Sequence, residues 1–317
     1  MALTSDTFIE RAHLKKQVLF WRLAAVGVAV FFLILLVERN AKMPTVVKSD
    51  YIARLTIADM VLEDQRLYDL LDEVRDDDNA KALILTLDTP GGAAVAGEVI
   101  HQKIKEISKK KPVVASMRSL CASAGYMIAI AADHVLAMRG TITGSIGVLF
   151  QSAELSELAA KVGVKPIIVK SGAFKGSPSM AEPITLDERA VIQSMIDEFH
   201  TVFVRMVAKD RDLSEAKVRD IADGRIYSAV RAKELGLIDD LGGEPEALAW
   251  LKDEKKIDTS LEIKDMKIKS KLDTLYDRFA EVTGMDQLQN TLPTRSGLML
   301  LWRPDLLANT SVSLTTH

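Results

Sequence analysis

Residues 80–92 read AKALILTLDTPGG. The first part, Ala80–Leu87, is a short apolar run that ends at a turn, which is the pattern of a strand buried on both faces. It runs into Asp88-Thr89-Pro90-Gly91-Gly92, where two consecutive glycines let the backbone turn sharply and leave its N–H groups uncovered by side chains. Such a loop can cradle an oxyanion or serve only as a turn. Outward from it the same alternation continues. Upstream, Tyr51–Ile57 alternates apolar and polar residues as a strand does, and Val61–Arg75 carries apolar residues at helical spacing. Downstream, the pattern predicts a helix over Ala94–Ser108, a strand over Pro112–Met117 and a helix of small and apolar residues over Ser123–Ala132. Strands at His134–Met138 and Ile142–Leu149, a helix at Ala153–Val162 and a strand at Lys165–Val169 follow. Strands interleaved with helices at this spacing predict βαβ units and a layered α/β domain.

After a loop at 170–184 the pattern turns helical. Thr185-Leu186-Asp187-Glu188 is a capping box opening a long helix to about Arg211. Shorter helices are expected at Ser214–Ala222, Ala229–Leu235 and 244–256, and a Lys-rich one at 266–290. Within the 317 residues, 48% are hydrophobic and 27% charged, with a formal net charge of -3. That balance supplies no basic field for nucleic acid. The single cysteine, Cys121, excludes an intrachain disulfide framework, and the five histidines lack the paired spacing of metal ligands. No cofactor is implied.

Near the N-terminus, Leu23–Val37 (LAAVGVAVFFLILLV) carries no charge, and extending it back to Val18 gives a span of 18–37 with Arg22 near its edge. A helix of roughly 20 apolar residues crosses the ~30 Å hydrocarbon core. Arg22 can snorkel to the headgroups, and Trp21 suits the interface. The following Glu38-Arg39-Asn40-Ala41-Lys42 lacks a small-x-small cleavage site, so the span is expected to stay as an anchor in membrane lipid. Residues 1–17 then form an N-terminal cytoplasmic segment and 38–50 a linker. Arg11, Lys15, Lys16 and Arg22 before the span, against Arg39, Lys42 and Lys48 after it, bias the orientation only slightly.

Two further loops carry chemistry. In Cys121-Ala122-Ser123-Ala124-Gly125-Tyr126 a serine lies between a strand and a helix, where free N–H groups and a partial positive charge favour a developing oxyanion. The same position suits a plain N-cap serine. In Lys170-Ser171-Gly172-Ala173-Phe174-Lys175 two lysines open the loop before the long helix. A serine nucleophile needs a base, and no histidine occurs between His134 and His200. A lysine held neutral by apolar surroundings can replace it. Lys175, beside Phe174, is the first candidate and Lys170 the competitor.

Five segments resemble, in order, the motifs of the signal peptide peptidase A (protease IV) family: LDTPGG (87–92), ASAGYMIAIAAD (122–133), TGSIGV (143–148), KSGAFK (170–175) and ADGRIYSAVRAKELGLIDDLGG (222–243). The resemblance covers about residues 50–245. It implies a Clp protease/crotonase-like α/β fold, a Ser/Lys protease domain over 51–245 and a helical extension over 246–317. It further implies Ser123 as nucleophile, Lys175 as general base and Ser145 as the hydroxyl that orients the lysine. Gly92 with Gly91 beside it, and the N–H of Ala124, take the place of the oxyanion hole. The family's substrates are cleaved signal peptides, its catalytic domain lies on the periplasmic side of the bacterial inner membrane, and its short forms assemble into rings whose Ser and Lys can come from adjacent protomers. An octamer is the expected size. Where the family often has Ser-Gly-Gly, this chain has Ser123-Ala124-Gly125. Two other readings stand beside this one: a crotonase-like acyl-CoA enzyme, and a membrane scaffold that kept the fold without catalysis.

Overall fold

The computed structural model describes residues 21–29 and 49–268. The chain divides into two units, residues 1–49 and 50–317. In the first, residues 21–29 are helical, inside the expected 18–37 span; the remainder of that span lies outside the described residues. Among the described residues no helix is long and apolar enough to cross a membrane.

The second unit is a mixed α/β domain built on one eight-stranded sheet. Its elements run β1 (Tyr51–Val61), α1 (Gln65–Asp76), β2 (Ala80–Gly92), α2 (Ala94–Ser108), β3 (Val113–Ala122), α3 (Ala124–Ala129), β4 (His134–Ala137), β5 (Ile142–Gly144), α4 (Ser156–Lys161), α5 (Leu186–Asp210), α6 (Glu215–Ile221), β6 (Ile226–Ser228), α7 (Ala229–Leu235), β7 (Asp240–Leu241), α8 (Glu244–Asp253) and β8 (Glu262–Met266). The strand order is β6-β5-β3-β2-β1-β8, with β4 on β3 and β7 on β4. All pairings are parallel except β5 with β6.

Strand β2 shows why the apolar run matters. Leu83, Leu85 and Leu87 point into the larger core with α1, α2, α3 and Phe203, Val204 and Val207 of α5. Ala82 and Ile84 point the other way, into a smaller core with Ile52, Val114, Leu136 and, from α8, Ala247 and Leu251. A strand covered on both faces needs apolar residues at successive positions, not alternate ones. Each fully buried aliphatic side chain contributes roughly 1.5–3 kcal/mol, so this strand anchors the domain. Strand β3 is shared: its first half pairs with β4 and its last residues, Leu120–Ala122, with β5.

Several expectations are corrected. Strand β1 continues through Val61, and α1 begins only at Gln65, where the Asp64 carboxylate accepts a hydrogen bond from the Arg66 N–H at 3.0 Å. Residues 246–317 are not simply a helical extension. Helix α8 completes the smaller core, and Glu262–Met266, expected within the helical extension, pairs as β8 along β1. The rest of the expected 266–290 helix lies outside the described residues. Lys165–Val169 forms no strand, and no strand among the described residues pairs with it.

Two buried polar links tie the helices after β5 back to the sheet. The Tyr126 hydroxyl, fully buried, donates to the Leu237 carbonyl at 2.9 Å. Arg211 at the end of α5 grips Asp239 with both nitrogens, at 3.0 and 2.7 Å, while Asp239 also accepts from the Val135 N–H of β4 at 2.7 Å. Burial pushes the Asp239 carboxyl upward, but the hydrogen bonds and charge of Arg211 outweigh it and hold the group below its ordinary value.

Tyr126→Phe strands the Leu237 carbonyl in the core and is expected to cost about 1–3 kcal/mol, read from the denaturant midpoint. A depressed carboxylate contributes stability that is present above its unfolded pKa, about 3.9, and lost as pH falls through the folded value. Below about pH 4 the wild type should therefore lose stability more steeply than Asp239→Asn, as followed by acid titration of tryptophan fluorescence.

Candidate active site

Ser123 occupies the N-cap position of α3, yet its side chain makes no capping bond. Its backbone is in an unusual conformation, φ 53° and ψ -122°. Such a conformation costs a non-glycine residue of order 1–3 kcal/mol and persists only where the surroundings impose it. They do so from two sides. The Ser123 N–H donates to the Gly144 carbonyl at 2.9 Å, and the Ser123 carbonyl accepts from Met127 N–H at 2.9 Å. The plain N-cap reading of this serine is thus not what the structure shows: the hydroxyl has no partner among the described residues and is partly exposed.

Gly91 presses against this turn. A Cβ at position 91 would lie 2.7 Å from Ser123 Cβ, 2.9 Å from the Ala122 oxygen and 3.0 Å from the Ala124 nitrogen, and φ is 106°. Only glycine fits. Its N–H is already given to Thr89 Oγ1, at 3.1 Å, so of the two glycines Gly92, which is exposed, is the one placed to meet a ligand. Gly92 is fixed in turn by β1, where a Cβ would fall 2.0 Å from the Val61 oxygen. Ala124 opens α3, and the first N–H groups of a helix lack intrahelical acceptors. The structure therefore brings Gly91, Gly92, Ser123 and Ala124 to one place at the carboxyl ends of β2 and β3.

Thr89 is a residue that sequence reading passed over. It is fully buried, its hydroxyl donates to the Asp59 carbonyl, and its methyl lies where a Cβ on Gly125 would come to 2.6 Å. The available signal was a threonine two residues ahead of a glycine, the pattern of a side-chain-capped turn. Asp88 adds a second brace, accepting from the Leu120 N–H at 3.0 Å.

Ser145 is reached through the neighbouring strand. Gly144, whose carbonyl holds Ser123, is followed by Ser145 at φ 52°. The Ser145 N–H donates to the Arg225 carbonyl at 2.9 Å, and Gly224 N–H to the Ile146 carbonyl at 3.1 Å. The TGSIGV and ADGRIY segments thus pair beside the serine turn, with Thr143 opposite Tyr227 and Gly144 opposite Ile226. The Ser145 side chain is partly exposed.

Lys175 is joined to neither Ser123 nor Ser145 by a hydrogen bond among the described residues. It lies exposed in the loop between α4 and α5, and no hydrogen bond or ion pair joins its amine to another described residue. Apart from the helical bonds of α5, the hydrogen bonds and ion pairs of residues 149–199 stay within that stretch: Leu155 N–H to the Met180 carbonyl at 2.8 Å, Lys170 to Glu182, Ser177 to Glu188. Its apolar residues face solvent, Leu149 at 78%, Ile167 at 88%, Val169 at 93% and Leu186 at 85% exposure. The competing lysine, Lys170, is bound to Glu182 at 2.5 Å.

Comparison with known proteins bears on this arrangement. Residues 105–258 match the model of peptidase family S49. The Synechocystis protein slr0021, which carries protease in its name, is 38% identical over 220 residues, 68% of this chain and 76% of that one. A protein of Enterococcus faecium named for signal peptide peptidase SppA is 35% identical over 188 residues, 59% of this chain and 55% of that one. Among solved structures, a mutant of the 1510-N membrane-bound stomatin-specific protease superposes with a TM-score of 0.45 at 18% identity, over 70% of this chain and all of that one. On the family-model match and the sequence relatives, the chain belongs to peptidase family S49, the family of signal peptide peptidase A and protease IV.

Proposed function

We propose that this peptidase is a serine endopeptidase whose nucleophile is Ser123 and whose general base is Lys175 supplied by a neighbouring copy of the chain. One observation carries the reading: the serine turn is strained into place within a single chain, while no hydrogen bond or ion pair among the described residues joins the lysine loop to it, and the loop's apolar side chains are exposed. Large exposed apolar patches mark interaction sites. Packing that surface against a second copy would strip water from the Lys175 amine, which favours its neutral form.

In the proposed reaction the neutral amine takes the proton from Ser123 Oγ as that oxygen bonds to the peptide carbonyl carbon. The N–H groups of Gly92 and Ala124 hold the oxyanion, the step where preorganised donors contribute most. The lysine ammonium then gives its proton to the leaving amine as the C–N bond breaks. Water, deprotonated by the same lysine, attacks the acyl carbon, and the lysine ammonium returns that proton to Ser123 Oγ as the ester C–O bond breaks and the acid product leaves. Ser145 Oγ, next to the serine turn, orients the lysine. Residues 18–37 anchor the chain in the bacterial inner membrane, and the peptidase domain stands on the periplasmic side. The substrates proposed are cleaved signal peptides and similar hydrophobic peptides, processed by a ring-shaped homo-oligomer, an octamer by resemblance. The name of the Enterococcus relative supports that substrate class, as does the apolar span beside the domain.

Ser123→Ala and Lys175→Ala are each expected to lower kcat on a fluorogenic hydrophobic peptide by about a thousandfold or more. Equal rates in both variants and wild type would support the scaffold reading. Mixing the two inactive variants under conditions that exchange subunits should restore part of the activity, because some interfaces then hold both intact groups. No recovery despite proven exchange would place the base in the same chain as the serine. Gly91→Ala should push Ser123 out of line and lower kcat by about a hundredfold, with its KM measured alongside.

A further inference from the structure

The loop carrying Lys175 has to keep its shape without help from its own sheet. It is moored at two points. On the far side, Ser177 Oγ donates to Glu188, which also accepts from the Thr185 N–H at 2.8 Å and so locks the loop to the first turn of α5. On the near side, Lys170 Nζ reaches across the loop to Glu182 Oε2 at 2.5 Å, with the Lys170 side chain only 19% exposed. Between the moorings the chain folds back on itself through Lys175 N–H to Gly172 O at 3.1 Å and Ser177 N–H to Phe174 O at 3.2 Å. Phe174 is half exposed and offers no packing to replace them.

We propose that Lys170 and Glu182 form a clasp whose function is to position Lys175 for proton transfer, so that both are positioning residues of the peptidase. This rests on the Ser123–Lys175 reading above. The clasp closes the base of the loop whose tip presents the amine. It also neutralises the one other ammonium of the KSGAFK segment, which would otherwise be free to compete for Ser123 or repel the protonated base. An ion pair with Glu182 this exposed adds little to global stability. Its loss is therefore expected in the rate constant and not in the folding midpoint, since misplacing a reacting group by about 1 Å can cost up to a hundredfold.

The test uses the full chain in detergent or nanodiscs with a fluorogenic hydrophobic peptide. Glu182→Gln and Lys170→Met should each lower kcat by about tenfold with KM within about twofold of wild type. The reversed pair, Lys170→Glu with Glu182→Lys, should recover kcat to within about threefold, and hydrogen exchange over residues 171–177 should speed up in the single variants and slow again in the pair. Wild-type kcat in both single variants, or no rescue by the reversed pair, would overturn the clasp while leaving the dyad standing if Lys175→Ala is inactive. Loss of kcat together with dispersal of the assembly in mass photometry would make the pair an interface brace and overturn its positioning role. Full activity in Lys175→Ala would overturn the dyad and the clasp with it.

Discussion

No side chain fits at position 91, and the site is built around that exclusion. The bare Gly91 backbone lies against Ser123, Ala122 and Ala124, so the end of β2 and the turn after β3 come closer than any Cβ would permit. That contact holds Ser123 in its positive-φ conformation, in which its hydroxyl makes no capping bond. Thr89, Asp88 and Gly125 serve the same contact from below: the Thr89 hydroxyl shapes the glycine turn, the Asp88 carboxylate ties the two strands, and Gly125 leaves room for the Thr89 methyl. The strain at Ser123 is borne by the cores on both faces of β2, whose burial exceeds it many times over.

The site is divided unequally between a rigid body and a projecting arm. Serine turn, glycine loop and the Ser145 strand are locked to the sheet by backbone hydrogen bonds, and the segment that bears Lys175 is bound only to itself and to the outer part of α5. Of that 25-residue helix only Phe203, Val204, Val207 and Ala208 near its end are buried. In the proposed reading, a base on such a segment serves a neighbouring copy and not its own chain. In the proposed assembly, activity then depends on contact between copies, and an isolated chain would hold its nucleophile without a base.

Much of this was legible in the sequence, for local reasons. The run in β2 and the Thr185–Glu188 capping box each depend on neighbours a few residues away and are found where expected, while the expected turn at Gly91-Gly92 proves to be the end of β2, paired with Met60 and Val61 of β1. The serine turn was located, but its competing role as an N-cap could not be dismissed until the hydroxyl was seen without a capping bond. What was misread depends on distant partners. Glu262–Met266 (EIKDM) carries three charges and looks like no strand; it becomes one because the free edge of β1 lies beside it. Lys165–Val169 has the apolar composition of a strand but pairs with no strand among the described residues. Thr89 was passed over because its partners, Asp59 and Gly125, are remote in sequence. Nor does spacing alone reveal that Lys170 is paired with a carboxylate twelve residues away, Glu182.

The most direct measurement is a cryo-electron microscopy structure of the full chain in a lipid nanodisc, with Ser123 and Lys175 both intact. The account predicts that the Nζ of Lys175 from one subunit lies within about 3 Å of the Ser123 Oγ of the next, at hydrogen-bond reach, with the exposed apolar arm buried between them. A particle in which those two atoms stay well beyond that reach in every pairing of subunits, and within each subunit, would contradict it.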